Sequence, residues 1–195
     1  MTAESDKQAL RAQLRARRHG MSLIERDAAR DGLAQRLQQL VSEVSARSIS
    51  CFLPSPTEPN VRPFLDWAAR HDIRVLLPIA REDGLLDWTV WEGREETVGL
   101  AGNPESAGTL LGPMAIDEVD LILAPAAAVD LRGMRLGWGR GYYDKTLGSM
   151  RRRPPVYAVL FAHELLAELP SERHDQPVDG VVTPEQILTL NDSKA

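Results

Sequence analysis

Apolar residues recur at helical spacing through the first 45 positions. Leu10 and Leu14 lie four apart, Lys7, Arg11, Arg15 and Arg18 mark a neighbouring basic face, and Gly20 closes the segment. Ser22 and Glu25 then stand three apart, the pairing in which a hydroxyl caps a helix and the carboxylate returns the bond, and Leu33, Leu37, Leu40 and Val44 form one stripe. Two helices are predicted, a basic one over residues 1–20 and an amphipathic one behind it. The period changes near Arg47. Residues 49–53 form a short β-rich run stopped by Pro54 and Pro56, which remove ladder donors. Asn60 is placed to cap a helix carrying Phe64, Leu65 and Ala68, with Pro63 tolerated in its first turn.

Residues 73–77, apolar apart from Arg74, read as a buried strand, whereas residues 86–91 alternate like a half-buried one. Residues 93–117 are rich in Gly, Pro and Glu and predict loop with one short edge strand. Further strands are expected at 119–124, 156–160 and 181–183, with helices at 141–147 and 164–169 and a disordered tail at 190–195. Strands alternating with helices predict an α/β fold: one domain over residues 1–195, with a mainly parallel central sheet and helices on both faces. In such sheets ligands bind beyond the carboxyl ends of the strands.

Composition narrows the function classes. A chain of 195 residues, 43% hydrophobic and 26% charged, suits a single core. No run approaches the roughly 18 apolar residues of a membrane span, and the basic first segment lacks the apolar core of a secretory signal; a cytoplasmic protein without a membrane partner is expected. The single cysteine, Cys51, excludes an intrachain disulfide, and His19, His71, His163 and His174 show no zinc spacing. A net charge of −5 argues against a dedicated nucleic-acid binder.

The chemistry concentrates in residues 135–144, Arg-Leu-Gly-Trp-Gly-Arg-Gly-Tyr-Tyr-Asp, where glycines alternate just before a helix. Glycine lets successive N–H groups turn toward an anion, and the helix start adds partial positive charge. A phosphate cradle and a ligand-free strand-to-helix connection both fit this spacing. It is not a Walker loop, since no glycine directly precedes Lys145, nor a dinucleotide fingerprint, since Tyr142 stands where the third glycine belongs. Arg135 and Arg140 flank the glycines and can grip phosphate oxygens or simply carry surface charge. Asp144 would repel a phosphate here unless a cation lay between them, which points to Mg2+; an acid favoured by the helix dipole fits equally. Asp175 or Asp179 can supply a second carboxylate or cap a turn. Glu58, held between Pro56 and Pro59, is either a substrate-reading carboxylate on a rigid loop or a solvated one. Cys51, Trp67, Trp88 and Trp91 read as packing, and Trp138 as a ligand-stacking ring.

Taken together these residues resemble the 5-formyltetrahydrofolate cyclo-ligase, or 5,10-methenyltetrahydrofolate synthetase, family. The likeness is carried by K-x-x-L-R at Lys7, Leu10 and Arg11, the loop from Leu53 to Glu58, R-L-G-x-G-x-G-Y-Y-D at 135–144, and H-D-x-P-V-D before V-V-T at 174–183. It implies a fold like those of sugar-phosphate isomerases and coenzyme A transferases, and an ATP-dependent ring closure of 5-formyltetrahydrofolate to 5,10-methenyltetrahydrofolate with release of ADP and phosphate, through a phosphorylated formyl group. By carry-over, ATP is held by Lys7, Gln8, Ala9, Leu10 and Arg11 together with Arg135, Leu136, Gly137, Trp138, Gly139, Arg140, Gly141, Tyr142 and Tyr143. Folate is contacted by Leu53, Glu58, Trp138, Gly139, Arg140, Gly141 and Tyr142; Arg140 and Tyr143 are the catalytic pair, and Asp144 and Asp175 bind Mg2+. The partners implied are these small molecules, acting on a monomer. Rival readings are a sugar-phosphate or coenzyme A-ester enzyme of the same fold, and a non-catalytic nucleotide- or folate-binding regulator.

Overall fold

The computed structural model describes residues 3–93, 95–100, 102–172 and 175–190. Helix α1 (Ala3–Gly20) meets α2 (Leu23–Glu43) through Met21 and Ser22, and the expected capping box is present: Glu25 N donates to Ser22 Oγ at 3.2 Å and Ser22 N to Glu25 Oε2 at 2.7 Å. Leu33, Leu37 and Leu40 are buried, joined by Val41 rather than by Val44, which caps the helix and is exposed. Strand β1 (Ser48–Ser50) is shorter than its apolar run, because after Cys51, whose N–H still donates to Leu76 O at 2.9 Å, the chain leaves the ladder on its way to the prolines. The next helix, α3 (Arg62–Arg70), is capped by Val61. Asn60 lies one residue too early and instead accepts from Arg62 N at 3.1 Å.

Strands β2 (Arg74–Ala80) and β3 (Leu86–Val90) form a hairpin. The expected loop beyond contains more structure than one edge strand: β4 (Glu96–Val98) pairs with β5 (Pro104–Ser106) in a separate hairpin, and β6 (Leu110–Leu111) is the edge strand, on β3. A 3-10 turn, Pro113–Glu118, leads to β7 (Leu121–Pro125), β8 (Ala128–Asp130), β9 (Arg135–Leu136), α4 (Tyr142–Ser149) and β10 (Val156–Val159).

The helix expected at 164–169 is absent. A 3-10 turn ends at Glu164 and β11 (Leu165–Leu166) pairs in parallel with β8. Leu165 and Leu166 pack into different apolar clusters, so this segment has the period of a strand rather than of a helix. Strands β12 (Gly180–Val182) and β13 (Ile187–Thr189) finish the sheet. Leu190 belongs to the fold, its N–H donating to Asp179 O at 2.8 Å, while the rest of the expected tail lies outside the described residues.

The main sheet runs β13-β12-β10-β7-β1-β2-β3-β6, parallel from β12 to β2 and antiparallel at both edges. Successive residues of β7 point to opposite faces: Leu121 and Leu123 join Leu33, Leu37 and Phe64 of α2 and α3, whereas Ile122 and Ala124 join Trp88, Tyr143 and Leu147. Both faces are covered, as the sequence predicts, which is why these strands read as nearly unbroken apolar runs. Helix α1 stands apart from both layers. Its Leu14 covers a smaller cluster with Ala127, Ala128, Leu136 and Leu169, against which Leu10 and Trp138 also pack.

Candidate active site

Strand order reverses at β1, whose neighbours are β2 on one side and β7 on the other, and the main cleft opens at that switch point. Its volume is about 640 Å³. Phe52 and Leu53 after β1, Pro78 and Ala80 of β2, and Pro125 ending β7 form its floor; Asn103, Pro104 and Glu105 of the β4–β5 hairpin form a side wall.

The opposite wall is the glycine loop. Gly139 and Gly141 have φ values of 95° and 70°, in the left-handed region that side chains rarely tolerate. Gly141 caps α4 without a side-chain acceptor, which leaves the N–H groups of the first helical turn to be satisfied from outside the helix. Helix α1 grips this loop from behind, with Arg11 Nε donating to Gly137 O at 2.8 Å and Arg11 Nη1 to Glu4 Oε1 at 3.0 Å. Four residues earlier, Lys7 Nζ donates to Asp175 Oδ2 at 2.7 Å and Glu172 Oε2 at 2.9 Å. Burial pulls the Lys7 ammonium down, but the two carboxylates outweigh it and hold its pKa above the ordinary lysine value.

Arg135 lies under the loop, its Nη2 donating to Asp144 Oδ1 at 2.8 Å and its Nη1 to Pro125 O at 3.4 Å. Gln176 N, next to Asp175, donates to the same Asp144 oxygen at 3.4 Å, so the two predicted metal acids share one corner of the cleft. Among the described residues no group of three or more His, Cys, Asp or Glu is arranged to hold a metal ion. Two carboxylates facing an open cleft nevertheless suit Mg2+, which takes one or two protein oxygens and fills its shell with water and substrate phosphate.

The remaining predicted residues divide clearly. Leu53, Glu58, Leu136, Gly137, Trp138, Gly139, Arg140, Gly141, Tyr142 and Tyr143 all line the cleft. Glu58 is held by its own turn, Ser55 N donating to its Oε2 at 2.8 Å and Glu58 N donating to Ser55 O at 3.0 Å. Tyr143 is buried and its hydroxyl has no hydrogen-bond partner among the described residues; burial pushes its pKa well above the ordinary phenol, so it is a protonated donor. Trp138 is half-buried, with the guanidinium of Arg18 4.8 Å from its ring centre and that of Arg15 5.4 Å away.

Gln8, Ala9 and Leu10 do not line the cleft. A helix advances about 100° per residue, so Lys7 and Arg11 face the loop while Gln8 and Ala9 are exposed and Leu10 turns to the small cluster. Asp179 is also away from the cleft; its carboxylate accepts from Val156 N at 2.9 Å and ties β10 to β12. His174 lies outside the described residues. Cys51 packs in the core with its thiol pushed up to about 12 by burial, which leaves it unreactive.

Sequence reasoning counted Arg15 and Arg18 on the basic face of α1 without assigning either to the site, and it missed the hairpin wall. Arg18 follows Leu10 and Leu14 at four-residue steps, so the spacing itself put it on the apolar face of α1, and its side chain is fully buried.

A family model described as the 5-formyltetrahydrofolate cyclo-ligase family matches residues 3–184. The chain belongs to that family. It is 36% identical over 167 residues to the 5-formyltetrahydrofolate cyclo-ligase of Mycolicibacterium smegmatis, covering 82% of this chain and 86% of that protein. The NMR structure of Aquifex aeolicus 5,10-methenyltetrahydrofolate synthetase superposes with a TM-score of 0.80 at 26% identity, over 97% of this chain and 95% of that one. A 5,10-methenyltetrahydrofolate synthetase from Mycoplasma pneumoniae shares the fold, with a TM-score of 0.74 at 23% identity over 92% of this chain and 99% of that one. Among the described residues, no helix of this cyclo-ligase-family chain is long and apolar enough to cross a membrane.

Proposed function

We propose that this protein converts 5-formyltetrahydrofolate and ATP into 5,10-methenyltetrahydrofolate, ADP and phosphate. The reading rests on one juxtaposition: a glycine loop backed by Arg11 and Lys7, two carboxylates at one corner, and an apolar floor with a fixed glutamate all border one cleft of about 640 Å³. A cradle for phosphates and a slot for a flat heterocycle are the two halves that such a reaction needs.

The chemistry follows from leaving-group ability. The oxygen of a formyl group carried on nitrogen is a poor leaving group. Its attack on the γ-phosphorus of ATP forms an oxygen–phosphorus bond as the bond to ADP breaks; the second folate nitrogen then attacks the formyl carbon, loses its proton, and phosphate departs. Little covalent work falls to the protein, whose tasks are alignment and charge neutralisation. Arg11, Arg135 and the loop N–H groups would receive phosphate charge, and Arg140 at the rim would meet the transferring group. Tyr143, protonated and with no hydrogen-bond partner among the described residues, would donate to an oxygen inside the cleft, and Glu58 would accept from folate N–H groups beside Leu53. Asp144 and Asp175 would hold Mg2+, whose chemistry is to offset the negative charge of the phosphates.

The test is to mix the purified protein with Mg-ATP and 5-formyltetrahydrofolate, follow the near-ultraviolet absorbance of the methenyl product, and measure ADP alongside it. Equal amounts of product and ADP are expected. ADP without methenyl product, or neither over a range of pH, rejects the assignment.

A further inference from the structure

Beneath the glycine loop lies an ion pair that no step above uses. Arg18 of α1 and Glu164 are both fully buried, and they meet in a two-pronged contact, Nε to Oε1 at 2.6 Å and Nη2 to Oε2 at 2.9 Å. Glu164 Oε2 also accepts from Phe161 N at 3.0 Å, so the carboxylate is fixed by its own turn. Arg18 Nη2 donates further to Ala126 O at 2.8 Å, while Arg135 donates to the preceding carbonyl, that of Pro125. Consecutive carbonyls at and just past the end of β7 thus each accept from a buried arginine. The guanidinium carbon of Arg18 lies over the Trp138 ring at 4.8 Å from its centre and over that of Phe161 at 5.6 Å.

An ion pair stripped of water is a poor way to stabilise a fold, since well-packed apolar groups of the same volume often do as well or better. What it supplies here is direction. A planar cation with fixed hydrogen bonds can sit against an indole in only a narrow range of poses. Trp138 is the central side chain of the glycine loop, flanked by Gly137 and Gly139, neither of which has a side chain to anchor the backbone. We infer that Arg18, locked by Glu164, is a positioning residue for the anion-binding loop: it fixes the Trp138 indole, and through it the backbone N–H groups on either side, while setting the end of β7 that floors the cleft. The inference deepens the nucleotide reading of this cleft and rests on it.

The experiment compares three proteins: the parent, Arg18→Lys, and the double variant Arg18→Met with Glu164→Leu. Each is measured for thermal midpoint, for Mg-ATP affinity by calorimetry without folate, and for the KM of each substrate. The double variant removes both charges together and leaves none stranded, so its midpoint stays near that of the parent. Its Mg-ATP affinity falls about tenfold, because a loop displaced by a fraction of an ångström no longer points its donors at the phosphates. The KM for ATP rises while that for folate moves much less. Arg18→Lys keeps the charge but not the flat face, and loses several-fold in ATP affinity without losing its fold.

A folded double variant that binds Mg-ATP as the parent does overturns the inference, leaving the pair a packing device. Should the double variant not fold, Arg18→Lys decides, and unchanged ATP affinity there is equally fatal. A parent that binds no Mg-ATP removes the nucleotide reading itself, an outcome distinct from either of these.

Discussion

Arg11→Ala isolates the link between α1 and the proposed phosphate site. The Arg11 side chain is 13% exposed and makes one contact of consequence, Nε to Gly137 O at 2.8 Å. Its partner Glu4 is half-exposed and screened, so that pair adds little. Removing a charged donor from a phosphate and from a loop carbonyl should cost binding about 2 kcal/mol, roughly thirtyfold in ATP affinity. The fold should barely notice: a loss near 1 kcal/mol in a chain of this size moves the thermal midpoint by about 2–4 °C. Calorimetric titration with Mg-ATP, beside a melting curve, separates the two effects, and the KM for 5-formyltetrahydrofolate should stay within about twofold because Arg11 faces the loop rather than the apolar floor. An Arg11→Ala protein with a normal melting curve and parental ATP affinity would show that α1 only covers the loop, and the proposed phosphate role of its basic face would have to be dropped.

Three further outcomes are expected. Glu58→Gln should cut turnover by about a hundredfold while leaving Mg-ATP affinity nearly intact, since the amide keeps the turn but loses the charge that receives folate protons; a matching loss of ATP binding in steady-state and calorimetric data would move Glu58 out of the folate half. Asp144→Asn should raise the Mg2+ concentration needed for half-maximal rate about tenfold or more, because a neutral oxygen is a weak ligand for this hard cation, and an unchanged metal titration would remove Asp144 from that role. Asp130 is buried, and burial pushes its carboxyl up, but Arg132 and the N–H groups of Met134, Leu169 and Arg132 outweigh it and hold the pKa below the usual carboxylate range. A folded-state pKa lowered in this way adds stability above the unfolded value of about 3.9 and loses it as pH falls through the lower one. Asp130→Asn should therefore melt well below the parent at pH 7, with the gap closing below about pH 4; a gap that is the same at both pH values would contradict the assignment.

The central sheet was legible because its strands are buried on both faces. Residues 73–77, 119–124 and 156–160 carry little but apolar side chains, with Arg74 and Asp120 the charged exceptions. The β4–β5 hairpin was not legible, because every residue of β4 is exposed and no apolar period marks it. It is held instead by distant polar contacts, Arg62 on Glu96 and Ala80 N on Glu105 Oε1. The helix wrongly expected at 164–169 fails for a related reason, since Glu164 is committed to Arg18, 146 residues away, and no local spacing reports such a pairing. Within the site, the glycines and Asp144 announce themselves by their order. That Lys7 and Asp175 belong to one site came from the family resemblance alone, since 168 residues separate them.

Those separations bear on how the molecule comes into being. Helix α1 is held by partners that lie 126, 146, 165 and 168 residues downstream, at Gly137, Glu164, Glu172 and Asp175. During synthesis it leaves the ribosome well before these partners, an amphipathic segment whose docking surface does not yet exist, and it must wait while the sheet assembles from β1 onward. Made before the strands at the middle of the sheet, it settles after them. Since Lys7 and Arg11 of α1 border the cleft, a chain cut before Glu172 loses the carboxylates that hold Lys7, together with strands β12 and β13, so that one wall of the cleft and one edge of the sheet are completed by the same late-made stretch of polypeptide.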